Sequence, residues 1–246
     1  MNILAIIPAR IGSKGIPKKN LLTISGYSLV ERALFTAINT DFIDDAIVST
    51  DSKKIQNMVN KYGNYAPFIR PEILATDTAG SLGVIQHGVE WAETNYKKKY
   101  DYIVLLEPPN PFRLPIHIKQ AIDIAIDKQA TSVVSLILVA DYHPIRMKKM
   151  DSDGKLQCIL NEEPDGIRRQ DQEPVYIRNC AIYVFQTKTI NDNELWGERP
   201  FGFAMDRALY GINIDEPIDF ITATAFYNEM KKENKLNLIE SIALNR

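Results

Sequence analysis

The chain opens with an apolar run that passes directly into a basic turn containing two glycines. Residues 3–7 read Ile-Leu-Ala-Ile-Ile, and residues 8–20 read Pro-Ala-Arg-Ile-Gly-Ser-Lys-Gly-Ile-Pro-Lys-Lys-Asn. Five consecutive apolar residues are typical of a strand buried on both faces of a parallel sheet. Open α/β sheets bind ligands at the carboxyl ends of their strands, where backbone N–H groups and cations can hold a polyphosphate. The sequence therefore predicts a nucleotide site at this turn.

The spacing of the glycines excludes two common phosphate-binding motifs. Gly12 and Gly15 are three residues apart, without the third glycine of a dinucleotide fingerprint and without the Walker pattern. Charged loop residues are mostly exposed. The turn by itself therefore leaves open a second interpretation, in which the glycines only shape the loop and the lysines are solvated.

Length and charge narrow the class of protein. A chain of 246 residues suits one large α/β domain, and a formal net charge of −2 argues against a general nucleic-acid binder. No apolar run approaches the length of a membrane span, and the N-terminus lacks a signal-peptide layout. Cys158 and Cys180 do not suggest a disulfide framework, which favours a cytoplasmic location.

Strand and helix signals alternate along the chain. This alternation predicts an α/β fold with a mostly parallel, doubly wound sheet. Helices are expected to begin after Ser52, near Ser81, at Pro115 and at Pro217. After the first strand, further strands are predicted at 45–51, 101–107, 132–139, 180–185 and 211–215, and a helix is predicted within 28–40.

One segment departs from this pattern. From about 140 to 177 the chain is polar, and Asp-Ser-Asp-Gly at 151–154 signals a turn. We interpret this segment as an irregular or hairpin excursion from the main sheet. We predict that the excursion and the rest of the chain form a single domain over residues 1–246.

Short motifs in a fixed order along the chain identify a family resemblance. Residues 105–113 read LLEPPNPFR, and further motifs are Ser49–Ser52, Arg70-Pro71, Leu74-Ala75, Asp77-Thr78, Arg169-Gln170, Asn179 with Ala181–Tyr183, and Ile214-Asp215 with Asp219. Together with the turn at 8–20, they resemble the acylneuraminate cytidylyltransferases, the CMP–sialic acid synthetase family. The resemblance covers nearly the whole chain and implies a Rossmann-like nucleotidyltransferase fold.

The resemblance also implies a reaction. Members of this family transfer CMP from CTP to the anomeric hydroxyl of a nine-carbon 2-keto sugar acid, giving a CMP-sugar and pyrophosphate. A triphosphate and a carboxylate must approach each other, so catalysis depends mainly on positioning and on electrostatic stabilisation. A cationic loop and Mg²⁺ meet that need.

Nucleotide-binding roles follow position by position. Arg10, Lys14 and Lys19 would surround the phosphates, and Lys19 would stabilise the transition state. Ser13 and Asn20 would contact the nucleotide from the same turn. Arg70, Ala79 and Ser81 fall where the family reads cytosine, whose edge needs both donors and acceptors.

The sugar-acid and metal roles come from the second half of the chain. Glu107, Arg146, Arg169 and Asn179 would bind the sugar acid, whose carboxylate suits a bidentate guanidinium. Asp215, with Asn213, would hold Mg²⁺ in an oxygen shell. Asp51 and Asp219 could equally be acids that flank helices, and Tyr176 and Tyr183 are expected to pack.

Four positions depart from the family pattern. Asn213 stands where an aspartate is usual, Glu107 replaces a glutamine, Cys180 replaces a glycine, and Ile177 with Arg178 displaces an arginine. An ionised carboxylate accepts hydrogen bonds but donates none. Because most of these changes lie near the expected sugar pocket, we hypothesise a legionaminic-type or pseudaminic-type acid rather than plain N-acetylneuraminate.

Three further expectations concern alternatives and assembly. An eight-carbon 2-keto sugar acid is the neighbouring substrate class, and the neutral Asn213 keeps open a nucleotide-binding homologue that has lost catalysis. The resembled family uses the excursion as a dimerisation arm. A symmetric homodimer is therefore expected, with Arg169 acting in the partner's pocket.

Overall fold

The computed structural model describes residues 1–13, 15–139, 142–160, 168 and 171–233. The strands are β1 (Ile3–Pro8), β2 (Thr23–Ile24), β3 (Tyr27–Ser28), β4 (Asp45–Ser49), β5 (Tyr102–Leu105), β6 (Ser132–Leu138), β7 (Lys148–Met150), β8 (Leu156–Cys158), β9 (Tyr176–Gln186) and β10 (Pro200–Met205). The α-helices are α1 (Leu29–Ile38), α2 (Lys53–Val59), α3 (Ser81–Tyr96), α4 (Pro115–Asp127), α5 (Thr187–Asn191), α6 (Arg207–Tyr210) and α7 (Pro217–Lys232). Single 3₁₀ turns occupy Lys19–Leu21, Glu72–Leu74 and Pro144–Arg146.

A six-stranded sheet in the order β10-β6-β9-β5-β1-β4 forms the centre of the fold. β1 runs parallel to β4 and β5, and β10 runs parallel to β6, whereas β9 is antiparallel to β5 and β6. The predicted mostly parallel α/β sheet is thus confirmed. The chain places β4 on one side of β1 and β5 on the other, which makes the carboxyl end of β1 a topological switch point.

Helices cover both faces of the sheet, as the apolar run at residues 3–7 predicted. Ile3, Ala5 and Ile7 belong to the core formed with α1 and α4, whereas Leu4 and Ile6 pack in the core formed with α3. Alternate side chains of one strand therefore bury against opposite helix layers.

Local capping signals fix where several helices begin. Ser28 and Glu31 form a capping box at α1, and the Ser52 side chain accepts a hydrogen bond from the Ile55 N–H at α2. Pro115 and Pro217 each occupy the first turn of their helix. These four starts agree with the sequence prediction because each depends on neighbouring residues alone.

The strand predicted at 211–215 is wrong. This segment is a loop attached to the sheet region by one backbone hydrogen bond, from the Ile214 N–H to the Pro109 carbonyl at 3.0 Å. One edge strand of the sheet is β10. The sequence did not reveal this strand because Pro200 and Gly202 interrupt its pattern of apolar residues. Gly202 lets the strand approach β6, since a Cβ there would lie 2.6 Å from Leu136 Cδ1.

The segment between β6 and β9 contains a hairpin. β7 and β8 pair antiparallel, with Lys148 opposite Cys158, and Gly154 has a φ of 83° in the connecting turn. Among the described residues, none of the helices combines the length and hydrophobicity needed to cross a bilayer.

His117 makes the stability of the fold depend on pH. Its Nδ1 accepts the Leu114 N–H at 3.1 Å, its ring packs 4.3 Å from the ring of Tyr210, and burial lowers its pKa to about 4. An unfolded chain binds this proton near pH 6.5, so folding stability is lost as the pH falls from about 6.5 towards 4.

We expect urea titrations to show that the free energy of unfolding falls by about 3 kcal/mol between pH 7 and pH 4, and that His117→Asn lacks this decrease. Parallel pH curves for the two proteins would contradict this assignment.

Candidate nucleotide-binding site

A cavity of about 510 Å³ opens at the carboxyl ends of β1 and β5. Four loops and the start of α3 line it, so residues far apart in sequence meet at the switch point of the sheet. Of the predicted site residues, the cavity is lined by Arg10, Ser13, Lys19, Asn20, Arg70, Ala79, Ser81, Glu107 and Asp215.

Two cations in the cavity are each paired with a carboxylate. Lys19 Nζ lies 2.7 Å from Asp215 Oδ1, and the lysine side chain is 15% exposed whereas the aspartate is 63% exposed. Arg10 Nη1 lies 2.7 Å from Asp77 Oδ1. Both carboxylates reach solvent, so an entering polyanion can compete for the two cations. Asp77 belongs to the motif Asp77-Thr78, whose sequence does not reveal this pairing.

Close contacts shape the basic turn. A Cβ at Gly15 would lie 2.2 Å from the backbone oxygen of Asp215, so glycine is required where the two loops meet. Asn20 is buried and donates from Nδ2 to the Arg10 carbonyl at 2.9 Å. Asp51 Oδ1 accepts the Ile11 N–H at 2.8 Å. Asn20 and Asp51 thus brace the turn whether or not they also touch a ligand.

Arg70 joins the end of β4 to the loop before α3. Its Nε donates to Ser49 Oγ at 3.0 Å, its guanidinium also donates to the Ser49 carbonyl, and Nη1 reaches the Leu74 carbonyl at 3.4 Å. The side chain is 4% exposed, and burial lowers its pKa to about 10. Arg70 therefore holds in place the loop that leads to Ala79 and Ser81.

A buried arginine lies behind Glu107. Arg113 is 2% exposed and donates to the carbonyls of Ala181, at 2.5 Å, and Glu107. Burial raises the pKa of Glu107, whereas the cations Arg113 and Lys19 oppose that rise. Burial also lowers the pKa of Arg113 to about 9. Arg113 closes the motif LLEPPNPFR, where a charge in an otherwise apolar segment is a signal of a buried partner.

A model of the cytidylyltransferase family matches residues 4–236. The chain belongs to this family. It is therefore a CTP-dependent nucleotidyltransferase, as the sequence motifs predicted.

Curated relatives of this cytidylyltransferase are named for the sugar acids that they activate. It is 32% identical to the CMP-N,N'-diacetyllegionaminic acid synthase of Legionella pneumophila, covering 89% of this chain and 94% of the relative. It is 28% identical to the pseudaminic acid cytidylyltransferase of Campylobacter jejuni, covering 95% and 98%. An N-acylneuraminate cytidylyltransferase of Streptococcus agalactiae is 30% identical over 96% of this chain, which spans only 57% of that relative's length.

Solved structures agree on the fold. A CMP:2-keto-3-deoxy-manno-octonic acid synthetase complexed with CTP superposes with a TM-score of 0.66 at 16% identity, covering 93% of this chain and 99% of that one. A 4-diphosphocytidyl-2C-methyl-D-erythritol synthase from Anaerococcus prevotii gives 0.63 at 15% identity, covering 92% and 96%. The predicted Rossmann-like nucleotidyltransferase architecture is thereby confirmed.

Several predicted site residues of the cytidylyltransferase do not line the cavity. Arg146 is exposed in the 3₁₀ turn before β7. Asn179 is 2% exposed, and its side chain bonds to Ser135 and to the Tyr210 carbonyl. Lys14 and Arg169 lie outside the described residues.

The oxygen donors near Asp215 suit a metal that arrives with the nucleotide. Asn213 Nδ2 donates to Asp215 Oδ2 at 2.5 Å, while Asn213 Oδ1 is buried without a hydrogen-bond partner in the described part of the chain. Asp219 Oδ2 accepts the N–H groups of Asp215 and Glu216, so it caps α7. No group of three or more His, Cys, Asp or Glu side chains among the described residues could hold a metal. Because Mg²⁺ often binds one carboxylate together with substrate phosphates and water, this donor set fits it.

Proposed function

We propose that this cytidylyltransferase transfers CMP from CTP to the anomeric hydroxyl of a nonulosonic, sialic-acid-like 2-keto sugar acid and releases pyrophosphate. The observation that carries the proposal is the cavity itself, which places Arg10 and Lys19 beside Glu107 and Asp215 at the switch point of the sheet. The cations of the cavity suit a triphosphate, and its carboxylates can accept hydrogen bonds from a polyhydroxylated acid.

The phosphate end acts by charge stabilisation. Arg10, Lys14 and Lys19 receive the triphosphate, whose oxygens replace Asp77 and Asp215 as partners of the two described cations. Negative charge grows on the bridging oxygen as pyrophosphate leaves, and a preorganised ammonium stabilises that charge more than the ground state. Ser13 and Asn20 contact the nucleotide beside them, and Arg70, Ala79 and Ser81 face the cytosine.

The sugar end selects a donor-bearing acid. Glu107 accepts hydrogen bonds from the sugar, and Arg146 and Arg169 bind its carboxylate. Asn179 supports the subsite from inside the fold through Ser135 and the Tyr210 carbonyl. Relatives named for N,N'-diacetyllegionaminic and pseudaminic acids support this class of substrate. A carboxylate in place of an amide favours groups that only donate, such as an N–H or an O–H.

Mg²⁺ would be held by Asp215, with Asn213 Oδ1 as a neutral second donor. When bound, the ion would neutralise phosphate charge and help to orient the α-phosphate. The protein's own part is to keep Asp215 at the cavity, with Lys19 as its partner until the nucleotide arrives.

Asn213→Asp tests the metal assignment. We expect the variant to reach half-maximal activity at a Mg²⁺ concentration lower by roughly tenfold, because a second carboxylate replaces a neutral amide. The measurement is a Mg²⁺ titration of pyrophosphate release at saturating CTP. Asn64→Asp, which adds the same charge at an exposed position that does not line the cavity, is the control. An unchanged or higher Mg²⁺ requirement would remove Asn213 from the metal site.

Pyrophosphate release across a panel of acids tests the proposed function. The panel contains N-acetylneuraminic, N,N'-diacetyllegionaminic and pseudaminic acids and an eight-carbon 2-keto sugar acid, with ATP, GTP and UTP as nucleotide controls. We expect CTP-specific, Mg²⁺-dependent release with a nonulosonic acid. Release with the eight-carbon acid alone would move the enzyme to the neighbouring class. CTP binding without release from any acid would support a homologue that has lost catalysis.

We also propose a cytoplasmic homodimer assembled through the segment between β6 and β9. Exposed large apolar side chains concentrate there, and such patches mark interfaces between proteins. Tyr176, which was expected to pack, is 51% exposed in the single chain. The exposed apolar residues of this segment and of the adjoining ends of β6 and β9 are Leu138, Tyr142, Met147, Met150, Leu156, Ile159, Leu160, Tyr176 and Ile177.

Glutamate substitutions in this segment are expected to dissociate the dimer. Leu156→Glu combined with Ile177→Glu places two charges in the apolar patch, and burying an unpaired charge costs several kcal/mol. Sedimentation velocity should then show a dimer for the unmodified chain and a monomer for the variant. Ile116→Glu, on the exposed side of α4, should leave the dimer intact. A monomeric unmodified chain with full activity would contradict the proposal.

A further inference from the structure

Arg10 joins the basic turn to the loop before α3. Its Nη1 lies 2.7 Å from Asp77 Oδ1 and donates to the Ala75 carbonyl at 3.4 Å. Arg10 and Asp77 both line the cavity, and their side chains are 30% and 41% exposed. A carboxylate of the protein itself therefore pairs with a cation that stands where an anionic ligand would bind.

Other residues hold the backbone on both sides of this ion pair. Asn20 Nδ2 donates to the Arg10 carbonyl at 2.9 Å. The next N–H group, that of Ile11, donates to Asp51 Oδ1 at 2.8 Å. Across the cavity, Arg70 ties the facing loop to the end of β4. Because both backbones are held in this way, the guanidinium can exchange one partner for another by moving its side chain alone.

Asp77 opposes the binding of an anion at Arg10. An anion that takes the guanidinium must displace Asp77, and it then lies near a carboxylate whose charge repels it. An ion pair as exposed as this one changes a binding constant by at most about fivefold. The competition is therefore strong enough to tune the affinity of a ligand and too weak to exclude it.

The two polyphosphates of the proposed reaction depend on Arg10 to different extents. CTP also has a base and a ribose, for which the cavity offers the loop at Ala79 and the start of α3 at Ser81. Pyrophosphate has only its charged oxygens, so Arg10 and Lys19 carry a larger share of its binding. The same loss of affinity is thus a small part of CTP binding and a large part of pyrophosphate binding.

We propose that Asp77 is a positioning residue that reclaims Arg10 as the phosphates leave and so promotes the release of pyrophosphate. The proposal rests on the proposed function, because pyrophosphate is the leaving product of that reaction. Asp215 makes the equivalent contact with Lys19 at 2.7 Å, but it is also the residue proposed to hold Mg²⁺. Asp77 is therefore the carboxylate whose competition can be tested without removing a proposed metal ligand.

Binding of inorganic pyrophosphate tests the proposal, measured by isothermal titration calorimetry with Mg²⁺ and without CTP or a sugar acid. Asp77→Asn keeps the size of the side chain and removes its charge, so the Kd for pyrophosphate should fall by roughly threefold to fivefold. Asp77→Glu restores a competing carboxylate and should return the Kd towards that of the unmodified chain. Asp41→Asn removes the same charge at an exposed position outside the cavity and should leave the Kd unchanged. An unchanged or higher Kd for Asp77→Asn, or an equal fall for Asp41→Asn, would overturn the proposal.

Turnover gives a second measurement. In Asp77→Asn, kcat should fall while the rate of the first turnover, followed by rapid quench, stays unchanged, because release is slowed and the chemical step is not. A slower first turnover would place Asp77 in the chemical step and overturn the proposal. Normal turnover with unchanged pyrophosphate binding would refute the role of Asp77 and leave the proposed reaction intact. The expected change in pyrophosphate binding without turnover of any acid in the panel would leave the competition standing and reject the reaction.

Discussion

Lys19→Met is expected to lower kcat by a factor of roughly 10²–10³, the usual effect of removing one preorganised charge donor from a transition state. The Lys19 ammonium is largely enclosed by the cavity and lies 2.7 Å from Asp215. It therefore needs little reorganisation to meet the oxygen on which charge develops. The KM for CTP should change much less than kcat, because the effect belongs to the transition state. Steady-state pyrophosphate release at varied CTP measures both quantities.

Lys18→Met is the matched control for this prediction. Lys18 precedes Lys19 and is exposed. Its φ is 57°, and methionine and lysine adopt such a φ equally easily, so the substitution adds no backbone strain. The two variants remove the same charge from the same turn, yet Lys18→Met should alter kcat by less than about twofold, as surface substitutions commonly do. Equal losses in the two variants would show that the turn needs net positive charge and not the placement of Lys19.

The pairing of Lys19 with Asp215 has a consequence for the order of events. Lys19 and Arg10 already have carboxylate partners, Asp215 and Asp77, before any ligand is present. In the proposed reaction, a triphosphate would displace these carboxylates, and the released Asp215 would then be available to a metal. One movement would thus couple arrival of the phosphates with formation of the proposed metal-binding oxygen set.

Local signals explain what the sequence predicted well. The apolar run of β1, the cap at Ser52, and the prolines at the starts of α4 and α7 act through neighbours in the chain. The ordered motifs likewise placed the basic turn, Arg70 and Glu107 around one cavity. Each of these follows from spacing along the chain or from the rule that parallel strands end at one edge of the sheet.

Long-range contacts explain what the sequence did not reveal. β10 is an edge strand whose pairing with β6 depends on Gly202 fitting against Leu136. A bulge in β9 at residues 179–182 depends on Ser135, which is more than forty residues away and shows no local sign of that role. Asn179 resembles a ligand in a motif, yet its partners in the fold are internal. Hydrophobic periodicity and secondary-structure propensity do not predict such pairings, because both describe only residues that are neighbours in the chain.

Arg113→Met is expected to destabilise the protein by about 2–6 kcal/mol, because two buried carbonyls lose their donor and each buried group left unsatisfied costs about 1–3 kcal/mol. The guanidinium is buried, and its loss leaves the carbonyls of Glu107 and Ala181 without their donor. It also removes the cation that most strongly offsets the burial of the Glu107 carboxyl. For a domain of this size the melting temperature should fall by roughly 10 °C, measured by thermal unfolding monitored by circular dichroism. Arg207→Met, at an exposed position in α6, is the control and should shift it little.

A second substitution tells which part of that loss is charge. If the carboxylate left without its cation dominates, Glu107→Gln in the Arg113→Met background should restore part of the stability, because the buried group is then neutral. Arg113→Lys keeps the charge, but a single ammonium on a flexible stem cannot span the two carbonyls as the planar guanidinium does. The lysine variant should therefore restore the positive charge but not both hydrogen bonds to the carbonyls. Its stability should lie between those of the unmodified chain and Arg113→Met. If the double variant is as unstable as Arg113→Met alone, the lost stability comes from the two carbonyls. Arg113 would then position Glu107 through its backbone carbonyl and not through the charge of its side chain.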